Sequence, residues 1–165
     1  RALNYVMIRP RSKREIQDYL TRTFLYPKPK IYIDKSGVRQ FVKREIDKTK
    51  VKNMIERVMA RLDEKRYIND EVFARAWVNS RQLTKKSSKR KLEQELRAKS
   101  VDSEIIATVL QNQNETEIEN LREIINKKRR LPKYQDNVKL TQYLLRQGFD
   151  YDDIRDYIDE ASETI

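Results

Sequence analysis

Residues 67–78, YINDEVFARAWV, form the junction on which the fold of this chain depends. Asn69 stands at an N-cap position, and two acidic residues follow it in the first turn, where carboxylates interact favourably with the helix dipole. With Asn69 as the cap, Ile68 and Phe73 occupy the N′ and N4 positions of a hydrophobic staple, which fixes how a chain enters a helix. The stretch therefore predicts the start of a helix.

The apolar residues of the same stretch predict one broad buried face. Its members are Val72, Phe73, Ala76 and Trp77. Their spacing places them on one side of an α-helix, which must then pack against other helices. Because capping and core packing account for them, we assign Ile68, Phe73 and Trp77 to the structural core rather than to stacking on nucleic-acid bases.

A shift of 48 residues superimposes the middle of the chain on its last part. Apolar residues match apolar residues at Phe73/Leu121, Ala76/Ile124, Trp77/Ile125, Leu83/Leu131, Leu92/Leu140, Leu96/Leu144, Val101/Phe149, Ile106/Ile154 and Leu110/Ile158. Three successive stretches with helical spacing are covered by these matches. The shift predicts two copies of a three-helix unit, at residues 67–113 and 114–165.

An earlier copy, residues 1–66, carries an insert. RSKREIQDYL at residues 11–20 resembles SSKRKLEQEL at residues 87–96. The distance along the chain from this segment to the next helix is 25 residues longer in the first copy than in the second. The extra residues lie within about 24–50. We predict an all-α fold of three tandem three-helix repeats in an elongated, curved array, in which neighbours complete one another's cores.

The insert has the pattern of a β-hairpin. Residues 31–33 are rich in β-forming side chains, the turn DKSG follows, and Gly37 supplies a positive φ before Val38 and the Phe41-Val42 pair. The alternative is a loop whose second half extends the next helix. An insert that the helical unit does not need is free to make contacts, and Arg39, Lys43 and Arg44 are its candidate contact residues.

Charge is unevenly distributed. The chain has 37 Lys+Arg and 26 Asp+Glu, a net charge of +11. Residues 1–100 hold 28 basic and 12 acidic side chains, whereas residues 146–165 hold 2 and 7. The basic part would attract a polyanion such as nucleic acid, although a solubilising surface explains the same counts.

The composition argues against several classes of protein. There is no cysteine, so the chain cannot form a disulfide. There is no histidine either, and histidine is the commonest general base and the commonest transition-metal ligand. No apolar run approaches the ~20 residues of a membrane helix. We expect a cytoplasmic protein that is not an enzyme and has no cofactor, metal, membrane or small-molecule substrate. Asp150, Asp152 and Asp153 are interpreted as a helix start after Gly148.

Two basic clusters are the candidate binding residues. They comprise Lys85, Lys86, Lys89, Arg90 and Lys91, and Lys127, Lys128, Arg129 and Arg130. Lys86, Lys89 and Arg90 have the i, i+3, i+4 spacing of one helix face, opposite Leu92. Lys and Arg on a stable surface suffice for phosphate contact without sequence preference. A solvated helix surface is the alternative.

The junction at 67–78, the opening ALNYVMIRPRSKREIQDYL at 2–20 and the ending YLLRQGFDYDDI at 143–154 together resemble the RecX family of RecA regulators. The chain departs from the family pattern at Arg66, where glycine is common, in the absence of glycine from its basic helix, and in its insert. The resemblance implies a non-enzymatic protein that binds RecA filaments on single-stranded DNA and most often inhibits them.

Two other functions remain open from the residues. One is a general helical nucleic-acid-binding protein without RecA contact, which predicts equal binding to naked and RecA-coated strands. The other is a small metal-dependent nuclease acting through Asp and Glu, which has no histidine to support it.

Overall fold

The computed structural model describes residues 2–33, 35–42, 45–111 and 113–163, and they are mainly helical. The chain forms two compact units, within residues 1–69 and 70–165. The helices are α1 (Ala2–Met7), α2 (Lys13–Leu20), α3 (Lys48–Glu64), α4 (Asp70–Lys85), α5 (Lys89–Ala98), α6 (Ser103–Leu110), α7 (Asn114–Arg129), α8 (Asn137–Arg146) and α9 (Tyr151–Glu163). A π-helical turn spans Thr21–Leu25, and a 3-10 turn spans Pro132–Tyr134.

The first unit is a bundle of α1, α2 and α3. The buried N-cap Ser12 starts α2, because its hydroxyl oxygen accepts a hydrogen bond from the Glu15 amide at 3.1 Å. Helix α1 is held to α2 by the stacked rings of Tyr5 and Tyr19, whose centroids lie 3.9 Å apart. The core of this bundle contains Ile16, Leu20, Ile55, Leu62 and Ile68.

Two short strands precede α3 within the insert. Strand β1 (Lys30–Ile33) pairs antiparallel with β2 (Arg39–Val42), and Ile33 lies opposite Arg39. Gly37, between them, has a φ of +84°. Ile31 and Ile33 are on the same side of β1 and are more than half exposed. Arg39 is exposed on β2, whereas the candidate contact residues Lys43 and Arg44 lie outside the described residues.

The second bundle, α4 to α6, has its own apolar core. Helix α4 contributes Phe73, Ala74 and Val78 to it. The prediction that Val72 and Ala76 are buried was wrong, because both are exposed. The core lies on the side of α4 where Ala74 and Val78 stand, so the buried stripe runs one residue later in the sequence than we predicted.

Trp77 is half-buried at the edge of this core and links α4 to α5. Its indole Nε1 donates a hydrogen bond to Glu95 Oε2 at 2.8 Å. Arg81 Nε donates to the same oxygen at 2.6 Å, and the Arg81 guanidinium lies 4.5 Å from the Trp77 ring centroid. The ring therefore serves the packing of this bundle.

The third bundle, α7 to α9, repeats the second. Leu140 and Leu144 of α8 are fully buried, as are Leu92 and Leu96 of α5, 48 residues earlier. The interpretation of the acidic ending as a helix start is confirmed for Asp150, whose carboxylate accepts a hydrogen bond from the Asp152 amide at 2.9 Å ahead of α9. The buried residues of this core are Leu121, Ile125, Leu140, Leu144, Phe149, Ile154 and Ile158.

Candidate nucleic-acid interface

The first basic cluster lies at the turn between α4 and α5. Helix α5 begins at Lys89, because the preceding Ser88 caps it by accepting a hydrogen bond from the Lys91 amide at 3.2 Å. Lys86 precedes this cap and has a φ of +52°. The predicted shared helix face of Lys86, Lys89 and Arg90 is therefore wrong, since Lys86 is outside the helix.

This turn also forms the joint between the second and third bundles. The fully buried Ser88 hydroxyl donates to the Gln147 carbonyl at 2.8 Å, at the end of α8. Lys91 Nζ donates to the side-chain oxygen of Gln147 at 2.7 Å. Gly148 passes so close that a Cβ there would lie 2.7 Å from Ser88 Oγ. Lys91 thus has a structural role at the joint.

Two carboxylates of α7 complete the joint. The Lys89 amide donates to Glu117 Oε1 at 2.9 Å, and Lys86 Nζ lies 3.1 Å from Glu123 Oε1. Burial raises the pKa of the Glu117 carboxyl, while the hydrogen bond from the Lys89 amide opposes that rise. The pairing of Lys86 with Glu123 lowers the positive charge that this lysine presents to a ligand.

The joint contains amide side chains that the sequence did not single out. Asn120 is 3% exposed, and its Nδ2 donates to Gln82 Oε1 at 2.6 Å. Gln82 Nε2 in turn donates to Gln113 Oε1 at 3.0 Å. The 48-residue shift places Asn120 where the previous bundle has Val72, which is exposed, so the repeat pattern gave no sign that Asn120 is buried.

In the second basic cluster, two side chains pack within the third bundle and two are exposed. Lys128 Nζ lies 4.5 Å from the ring centroid of Tyr143, so it packs against α8. Arg129 Nη2 donates to Asn137 Oδ1 at 3.0 Å and to the Ile158 carbonyl at 3.4 Å. Both side chains are half-buried within the third bundle. Lys127 and Arg130, on either side of them, are exposed.

Four cations of the two clusters face solvent, and we call them the open cations. They are Lys85, Arg90, Lys127 and Arg130, and none forms an ion pair within the described part of residues 70–163. Lys85 ends α4, Arg90 lies in the first turn of α5, and Lys127 and Arg130 stand at the end of α7. Within the second unit, they retain their full charge for an anionic ligand.

The described residues offer neither a metal site nor a membrane-spanning helix. Among the described residues, no group of Asp, Glu, His or Cys side chains is arranged to hold a metal ion. None of the described helices combines the length and apolarity that crossing a membrane requires.

Family models match both bundles of the second unit. A model described as "RecX, second three-helix domain" matches residues 69–110, and one described as "RecX, third three-helix domain" matches residues 115–158. The chain belongs to the RecX family. The two matched ranges cover α4 to α6 and most of α7 to α9, and each RecX domain thus corresponds to one bundle.

Individual RecX proteins resemble the chain over almost its whole length. Regulatory protein RecX of Bacillus licheniformis is 26% identical over 98% of this chain and 54% of its own length. That of Bacillus subtilis is 25% identical over 97% of the chain and 53% of its own. The chain thus spans about half the length of these curated relatives. The chain shares its fold with the crystal structure of RecX from Lactobacillus salivarius, with a TM-score of 0.66 and 21% sequence identity. The match covers 96% of this chain and 90% of the Lactobacillus chain.

Proposed function

We propose that this chain is a regulator of the RecA recombinase that binds RecA filaments on single-stranded DNA and inhibits their activity. The observation that carries the proposal is the set of open cations on two RecX three-helix domains. Lysine and arginine side chains that form no ion pair within the described part of the second unit are available for the phosphates of a strand or the carboxylates of a protein. The names of the relatives support a regulatory role, and the resemblance in the sequence supplies RecA as the partner.

The mechanism that we propose is steric and electrostatic. The hydrogen bonds of Ser88, Lys89 and Lys91 across the joint fix the second and third bundles relative to each other. A frame fixed in this way loses little backbone freedom on binding, which favours affinity. A chain bound in this way occupies space on the filament that incoming DNA needs, and it bridges neighbouring RecA subunits.

The insert is a further proposed contact. Strand β2 carries the exposed Arg39, and Ile31 and Ile33 are exposed on β1. The core residues of the first bundle that the structure describes lie on helices or beside them. We propose that the insert adds affinity for the filament in addition to that of the second unit.

Charge reversal at two open cations is expected to weaken filament binding. Lys85→Glu with Arg90→Glu removes two cations that have no ion pair within the described part of the second unit, so the fold is expected to stay intact. If each cation contacts a phosphate of single-stranded DNA, the slope of log K against log salt falls in magnitude by about 1.4. Fluorescence anisotropy on RecA-coated single strands at several salt concentrations measures this slope, and thermal unfolding checks the fold.

A matched control changes the net charge by the same amount elsewhere. Arg146→Glu with Arg155→Glu alters the only two basic residues of 146–165, which lie among seven acidic ones. This pair is expected to leave the salt dependence nearly unchanged. Equal losses in both double variants would indicate attraction to net charge and would contradict a role for Lys85 and Arg90. Equal binding of the unaltered chain to naked and coated strands would favour a general nucleic-acid-binding protein instead.

A further inference from the structure

A groove that is open to solvent lies between α8 and α9 of the third bundle. Its volume is about 350 Å³, which is within the range of pockets that hold ligands. The side chains that line it come from one face of each helix, and they include Val138, Thr141, Tyr151, Arg155 and Ile158. We call it the α8/α9 groove.

The apolar lining of this groove is not required by the three-helix fold. Val138 is 64% exposed and Tyr151 is 54% exposed. At the equivalent positions, 48 residues earlier, the second bundle has the open cation Arg90 and the exposed Ser103. The same surface is therefore polar in one bundle and apolar in the other, which favours contact of the third bundle with an apolar group.

Carboxylates stand at the rim of the α8/α9 groove. Arg155 lies 3.2 Å from a carboxylate oxygen of Asp156 and 3.9 Å from one of Asp152, and both carboxylates are mainly exposed. Burial and three neighbouring aspartates raise the pKa of the Asp153 carboxyl, which indicates a negative potential around this helix. Residues 150–160 hold six acidic side chains and one basic. The groove therefore favours a positively charged occupant and disfavours nucleic acid.

The β1/β2 strand pair of the insert has the complementary chemistry. Ile31 and Ile33 are 55% and 68% exposed on one side of β1, and Arg39 lies directly opposite Ile33 on β2. Because directly opposite residues of an antiparallel pair share one face, a cation stands beside the exposed isoleucines. Residues 28–39 hold four basic side chains and one acidic. Two strands alone are only marginally stable in water, so a partner that covers this face stabilises them.

We propose that the α8/α9 groove of one copy of this chain binds the β1/β2 strand pair of a second copy. The two exposed isoleucines enter the groove against Val138 and Tyr151, and Arg39 pairs with the carboxylates of α9 at the rim. Each copy has one strand pair and one groove, so the contact is head-to-tail and continues from copy to copy. It requires neither RecA nor DNA and therefore goes beyond the proposed function. On a filament, one bound copy would favour the binding of the next.

Sedimentation velocity of the unaltered chain over a wide range of protein concentrations tests this contact. The average mass is expected to rise with concentration, and to rise less at high salt because salt screens the pairing of Arg39 with carboxylates. Two double variants each remove two apolar side chains from the contact, and they are Ile31→Ser with Ile33→Ser, and Val138→Ser with Tyr151→Ser. Burying one such side chain corresponds to about tenfold in affinity, so each double variant is expected to weaken self-association by about tenfold or more.

A mixture of the two double variants gives the most specific result. The strand variant keeps an intact groove, and the groove variant keeps an intact strand pair. An equimolar mixture is therefore expected to form one-to-one pairs at concentrations where each variant alone is monomeric. The matched control, Leu83→Ser with Leu131→Ser, replaces exposed aliphatic residues elsewhere in the second unit and is expected to associate as the unaltered chain does. Thermal unfolding checks the fold of every variant.

The contact between copies would be overturned by an unaltered chain that stays monomeric at every concentration. Self-association that persists in either double variant, or a mixture that stays monomeric, would overturn it as well. If the chain stays monomeric and the groove variant binds RecA-coated strands more weakly, the occupant is a segment of the partner protein and not a second copy. Each of these results leaves the proposed function in place.

Discussion

Replacing Phe73 with alanine is expected to lower the free energy of unfolding by about 3–5 kcal/mol. The ring is 1% exposed and belongs to the core of α4, α5 and α6. Its centroid lies 5.7 Å from that of Trp77, so alanine removes an aromatic contact and leaves a cavity. Denaturant unfolding followed by circular dichroism measures the loss.

The control for this variant lies on the same helix. Leu83→Ala removes a side chain that is 84% exposed, and its effect on the free energy of unfolding is expected to stay within about 0.5 kcal/mol. Comparable effects of the two substitutions would show that Phe73 is not the core residue that the structure describes.

Replacing Gly148 with alanine is expected to destabilise the joint by about 2–4 kcal/mol. Its φ of +90° is unfavourable for a side chain, but this is the smaller part of the cost. Ser100, at the equivalent position of the second bundle, has a φ of +55° and carries a side chain. The larger part comes from the 2.7 Å approach of the new Cβ to Ser88 Oγ.

The clash matters because Ser88 has nowhere to move without breaking hydrogen bonds. Its buried hydroxyl accepts a hydrogen bond from the Lys91 amide and donates one to the Gln147 carbonyl. A buried polar group that loses its hydrogen-bond partner lowers the stability of the fold. Gly37→Ala is the matched control, since Gly37 has a φ of +84° and a Cβ added there would have no atom within 4 Å. The positive φ alone is then expected to cost about 1–2 kcal/mol at Gly37.

Denaturant unfolding of both glycine variants separates strain from collision. A loss at Gly148 no larger than that at Gly37 would contradict the close contact across the joint. Adding Ser88→Ala to Gly148→Ala removes the colliding oxygen, so the double variant is expected to lose less stability than the sum of its single variants.

The repeat of the core was predictable because burial imposes a periodic constraint on sequence. Leu92 and Leu140 stand 48 residues apart and both are fully buried. The side of α4 that faces the core was less predictable. Val72 and Ala74 are both apolar, and only the packing of α5 and α6 determines which of them is buried.

The candidate binding surface was predictable from the sequence as a number of basic residues, but the sequence did not show which of their side chains are exposed and which are paired. Lys86 and Lys91 belong to one basic run, but their partners Glu123 and Gln147 lie in the third bundle. Those contacts depend on how two bundles meet, which local sequence does not reveal. The open cations could be recognised only after the paired ones were known.

The most direct test of the proposed function is RecA-dependent ATP hydrolysis on single-stranded DNA while this chain is titrated in. RecA from the same organism is used, with salt and DNA concentrations held constant. If the chain binds along a filament as proposed, one bound chain would contact more than one subunit, and inhibition is expected at ratios well below one chain per RecA subunit. An effect that begins only when the chain saturates the DNA itself would contradict a filament-specific regulator and would indicate competition for the strand.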